Sequence, residues 1–148
     1  MFPDVQVGHS TVQEELPALA GYLSRPQVHL GIDPEYSMKG GEVPCSVIGT
    51  LDAEDVNYAI QFLTALVKQH QLPPKILVVH RFTRAMLTNY RNIHVTPEVQ
   101  LVVNMDGFGF PAKRSILILT GWRGNRFNSQ GSSFFTNRTC WINGAQGL

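Results

Sequence analysis

Cysteine is scarce in this chain, with Cys45 and Cys140 the two present among 148 residues. Two residues so far apart make no disulfide framework and have no metal-ligand spacing, so both read as incidental thiols. Long apolar runs are missing as well. None approaches the ~20 residues a membrane span requires. Charge of one sign is also lacking. A net of +1 gives no electrostatic reason to expect nucleic acid or an acidic membrane as partner. The opening residues Met1-Phe2-Pro3-Asp4 have neither the basic nor the apolar region of a signal peptide, so the chain as it stands is expected in the cytoplasm. There is no phosphate-binding loop, dinucleotide glycine fingerprint, serine nucleophile elbow or His-Glu-x-x-His zinc motif.

What is present is an ordinary globular composition, 43% hydrophobic and 16% charged, in a length suited to one domain with a core. The charge is unevenly placed. Residues 1–120 hold nine Lys/Arg and all eleven Asp/Glu, whereas residues 121–148 hold three Arg and no acid. The chain therefore divides into a domain over 1–120 and a tail over 121–148. That tail has bulky residues such as Trp122, Phe127 and Trp141 but no helical or alternating period, and is expected to be irregular.

Within 1–120 the order reads strand, helix, strand, helix, strand, helix, strand, strand. Val5-Gln6-Val7 suits a short strand. Ser10 with Gln13 predicts a capping box, followed by an amphipathic helix through Val12, Leu16, Leu19 and Leu23 to about Ser24. Val28–Ile32 reads as a buried strand. Asp52 is a plausible N-cap for a helix carrying Val56, Ala59, Ile60, Leu63 and Leu66, which Pro73-Pro74 stops. Ile76–Val79 is the next strand, Thr83 predicts a short helix over Ala85–Tyr90, and Val99–Met105 and Ile116–Leu119 are further strands. Continuously apolar strands alternating with helices predict a parallel α/β sheet buried on both faces, here as part of a TIM-like (β/α) barrel.

Three of these strands run into ionisable residues: Ile32 into Asp33-Pro34-Glu35, Val79 into His80, and Met105 into Asp106-Gly107. In α/β barrels the C-terminal ends of strands build the active site. Asp33 and Glu35 alternate across the strand end, and Pro34 removes a backbone donor and can turn both carboxylates towards one mouth. They suit a general acid–base pair or a share of a metal site. The plainer reading is that Asp33 caps a turn through an Asx contact and Glu35 is solvated. His80 suits a base, a ligand or a core histidine bonded to backbone. Asp106-Gly107-Phe108-Gly109 suits a close approach of backbone to a ligand, or an ordinary turn. Arg81 and Arg84 could bind a carboxylate or phosphate, or decorate the surface. His29 reads as structural.

The segments FPDVQVGHST, VHLGIDPEYSMKGG, IGTLDAEDVNYAIQFLTALVKQHQLPPKILVVHRFTRAMLTNY and MDGFG, over roughly residues 2–110, resemble a bacterial family of hypothetical proteins and lipoproteins whose pattern suits a TIM-like barrel. The resemblance implies a longer, exported parent with strands on either side of this stretch, and no particular reaction. Family members continue with a strand like Gly-Phe-Lys-Leu-Phe-Tyr-Lys, where this chain has Gly131-Ser132-Ser133-Phe134-Phe135-Thr136-Asn137. A frameshift near residues 112–121 would account for the tail. Carboxylates at a barrel mouth suit a hydrolase acting on a glycan or cell-envelope polymer, with Asp33, Glu35 and Asp106 as acids and His80 as auxiliary base or ligand. The alternatives are a non-catalytic surface protein that binds a glycan or small molecule, and a gene fragment whose open edges invite aggregation.

Overall fold

The computed structural model describes residues 1–105 and 116–120. Along the chain, β1 (Asp4–Val5) leads to α1 (Val12–Glu15), a 3-10 turn over Leu16–Leu19, and α2 (Ala20–Leu23). Then come β2 (Leu30–Ile32), β3 (Leu51–Asp52), α3 (Ala53–His70) and β4 (Lys75–His80). A 3-10 turn at Arg84–Met86, β5 (Leu87–Thr88), β6 (Val99–Asn104) and β7 (Ile116–Thr120) follow.

Helix α3 forms as its sequence predicts. The Asp52 carboxylate accepts from the Glu54 N–H, and Asp55 reaches back to accept from the Asp52 N–H at 2.8 Å, which satisfies donors orphaned at the helix start. Gln71, in the left-handed conformation, ends it. The first helical stretch differs from its expectation in two ways. Its cap is Thr11 with Glu14 as the third residue, one position beyond the expected Ser10 and Gln13, and Ser10 Oγ instead donates to Glu14 Oε2. Pro17 lacks the N–H an α-helix needs, and the chain passes through the 3-10 turn there before resuming as α2. Thr83 makes no side-chain cap, and the helix expected over Ala85–Tyr90 is replaced by two 3-10 turns with β5 between them.

Five strands form one sheet in the order β1-β2-β4-β6-β7, and β3 pairs with β5. The first four are parallel, with Leu30 beside Leu77 and Leu77 beside Leu101. The described residues are thus mixed α/β with parallel strands. β7 departs from the all-parallel expectation: it runs antiparallel to β6, with Asn104 opposite Ile116. Residues 105–115 fall short of the dozen or more that a parallel crossover needs, which is why the strand returns as a hairpin partner.

Side chains alternate across the strands. Leu30, Ile32, Leu77, Val79, Leu101 and Val103 face the helices and pack with Val56, Ile60 and Leu63 of α3 and with Val12, Leu16 and Leu23. Each such burial contributes about 1.5–3 kcal/mol. Lys75 shares that side and is fully buried; its Nζ donates to the carbonyls of Arg25, Val28 and Pro26. The opposite side carries Gly31, Gln100 and Val102, and at its C-terminal edge His80 and Asn104. No helix among the described residues is long and apolar enough to cross a membrane. Of the two cysteines, Cys140 lies outside the described residues.

Candidate functional site

Strand β2 ends where Pro34 begins a 3-10 turn over Pro34–Tyr36. Asp33 stands at that junction. Its N–H still donates to the Val5 carbonyl of β1 at 3.0 Å, and its Oδ1 accepts from the Glu35 N–H at 3.1 Å. The Asx contact expected of a plain turn is therefore present. Burial also pushes the Asp33 pKa up to about 6. The Glu35 N–H and the charge of His80 pull it down, and the carboxylates of Asp4 and Glu35 push it further up.

His80 ends β4 and pairs in register with Asn104 at the end of β6. It lies one residue past the Ile32–Val79 pair, so the register carries it alongside Asp33. Its Nε2 lies 3.8 Å from Oδ1 of Asp4, on β1. Asp33, Glu35 and His80, singled out by the sequence as strand-end residues, thus share one electrostatic neighbourhood at the C-terminal edge of the parallel strands. Asp106, the fourth of them, lies outside the described residues.

The loop between the 3-10 turn and β3 is fastened at two places. The Gly49 N–H donates to the Glu35 carbonyl at 2.8 Å, and a Cβ on Gly49 would lie 2.5–2.6 Å from backbone atoms of Pro34 and Ser37. Ser37 also bridges to Gly8 after β1, where Met38 donates its N–H to the Gly8 carbonyl. Tyr36, Ser37 and Met38 are buried in consequence. The turn that carries Glu35 is therefore set by backbone contacts from both sides.

Other residues weighed in the sequence have local duties. Arg81 donates to the carbonyls of Thr83 and Arg84 and stacks 5.0 Å from the Tyr90 ring centre, so its guanidinium is engaged by its own loop. His29 Nδ1 accepts from the Ile76 N–H, and burial chiefly lowers its pKa, consistent with the structural role expected. His9 Nε2 meets the Glu42 carbonyl at 2.6 Å. Among the described residues, no three His, Cys, Asp or Glu side chains come together in a way that could hold a metal ion.

Two members of this neighbourhood escaped the sequence reading. Asp4 was assigned no site role, and Gly31 was read only as part of the strand Val28–Ile32. A glycine inside a buried strand is the signal that could have found both, because it marks a place where another group approaches closely. The class so defined is a mixed α/β protein with an acid and imidazole cluster at the C-terminal ends of its parallel strands. No protein-family model, curated protein or solved structure matches the chain.

Proposed function

We propose that the chain is part of a (β/α)-barrel hydrolase that cleaves a glycan or related cell-envelope polymer by general acid–base chemistry. The observation that carries this reading is the Asp33 carboxyl, which burial holds protonated up to about pH 6 at a strand end beside a second carboxylate. A carboxyl of that kind can give its proton to a leaving oxygen near neutral pH. The barrel part of the reading is supported by the unreversed order β1-β2-β4-β6. It is further supported by the core helix α3 packing on one side and the polar cluster standing at the C-terminal strand ends.

In the proposed reaction Asp33 protonates the leaving glycosidic oxygen, and Glu35 acts at the sugar carbon as base towards water or as nucleophile. As base, Glu35 takes a proton from the water whose hydroxyl adds to that carbon, and exchange with solvent returns both carboxyls to their starting forms. As nucleophile, Glu35 is displaced from the carbon by a water whose proton Asp33 takes up. His80 assists as auxiliary base, and Asp106, two residues beyond β6, is the further acid of the set.

The test is release of reducing ends from soluble oligosaccharides and bacterial cell-wall polymer by the full chain, with Asp33→Asn and Glu35→Gln beside it. Hydrolysis is expected, falling by about 100-fold or more in each variant, as loss of a general acid or base requires. Saturable binding without turnover would replace the reading with ligand binding. Neither binding nor turnover would overturn both.

A further inference from the structure

We infer that Asp4 is a positioning residue that favours proton uptake by the His80 imidazole, and so strengthens it as a base, reaching it across β2 through the gap that Gly31 leaves in the sheet. Strand β2 lies between β1, which bears Asp4, and β4, which bears His80. Asp4 pairs with Gly31, and Gly31 with Val78, so Asp4 and His80 sit on the same side of the sheet, two residues apart along it. Any side chain at position 31 would stand between them. The Asp4 oxygen that faces His80 Nε2 at 3.8 Å is also the one that would lie 2.6 Å from a Cβ at position 31. A real Cβ cannot come so close. The glycine is therefore what lets one strand's carboxylate address the imidazole of a strand that is not its neighbour.

Among the described residues, the charged groups around His80 are Asp4 on β1, Asp33 and Glu35 after β2, and Arg81 directly after its own strand, while its register partner Asn104 on β6 is neutral. Arg81 is turned to its loop carbonyls and the Tyr90 ring. His80 is 17% exposed, so its coupling to Asp4 is only lightly screened, while Asp4 at 41% keeps part of its hydration. Loss of the Asp4 charge should therefore lower the His80 pKa by about one unit, the low end of what a close opposite charge produces. A cationic His80 in turn favours the ionised form of Asp33. Asp4 thereby governs which member of the Asp33–His80 pair carries the proton. This inference rests on the proposed acid–base role of that pair for its use, but not for its test.

The experiment is an NMR titration of the histidine ring signals in the full chain without substrate, the His80 resonance being assigned by its loss in His80→Gln. Asp4→Asn is expected to lower the His80 pKa by about one unit, and Asp4→Glu to restore part of it. Gly31→Ala should lower it similarly although Asp4 is intact. If Gly31→Ala fails to fold, Asp4→Asn decides alone. An unchanged His80 pKa in Asp4→Asn overturns the inference whether or not any substrate is found. A shifted His80 in a protein that hydrolyses nothing upholds the inference and counts against the hydrolase.

Discussion

The N–H of Glu35 donates to Oδ1 of Asp33 at 3.1 Å, so the carboxyl that starts the 3-10 turn is also the one that burial holds near pKa 6. One residue thus both caps the backbone turn and keeps a titratable group close to neutral pH at the strand end.

That double service has a cost in stability above about pH 6. Asp33 titrates at 3.8 when unfolded and at about 6 when folded, so the folded protein binds the proton more tightly. Its favourable contribution is complete below about pH 4 and is lost as pH rises through about 6. Asp33→Asn keeps the acceptor for the Glu35 N–H and removes the buried charge. It is expected to stabilise the protein at pH 7 by on the order of 1–3 kcal/mol. Thermal melts across pH 4–8 check this: a gain that persists unchanged at pH 4 would contradict the burial account.

Lys75 should behave in the opposite sense. Its ammonium serves the carbonyls of Arg25, Val28 and Pro26 while its stem fills the core. Lys75→Met keeps the stem and strands these acceptors, and should lower stability by about 2–4 kcal/mol in urea unfolding. An unaltered urea midpoint would mean that the three carbonyls find other donors.

Two glycines of the same loop give a matched pair. At Gly49 a methyl group meets the backbone of Pro34 and Ser37, whereas at Gly40 it meets only the movable Glu42 side chain. Gly49→Ala should cost about 1–3 kcal/mol, and Gly40→Ala well under that. Equal melting temperatures for the two variants would refute the fastening of the turn by Gly49.

At the first helix, Thr11→Ala should remove the capping box and about 1 kcal/mol. Ser10→Ala removes one exposed contact to Glu14 and should cost a few tenths of that. A larger loss from Ser10 in chemical denaturation would restore the cap expected from the sequence.

Much of this architecture is legible in the sequence. Four apolar runs became strands, and α3 starts at Asp52 and stops before Pro73-Pro74, because burial and capping are written into local composition. Strand direction was not, since an apolar run such as Ile116–Leu119 reads the same in either sense. Its antiparallel pairing follows from a short connection, not from its residues. The site divides in the same way. Asp33 and His80 were visible as abrupt ends of apolar runs. Asp4 was not, for its importance depends on the register that sets it over Gly31 and opposite another strand's imidazole. Lys75 escaped because nothing local to it announces three carbonyls contributed by residues 25–28.

The loop after β2 is pinned by Ser37 against Gly8 and by Gly49 against Glu35, and between those pins stand the exposed Val43, Val47 and Ile48. In evolutionary terms this makes a cassette. The stretch between the pins can be exchanged or lengthened while the turn that holds Glu35 keeps its place. Changes there can therefore be accepted without unsettling the strands that carry Asp33 and His80.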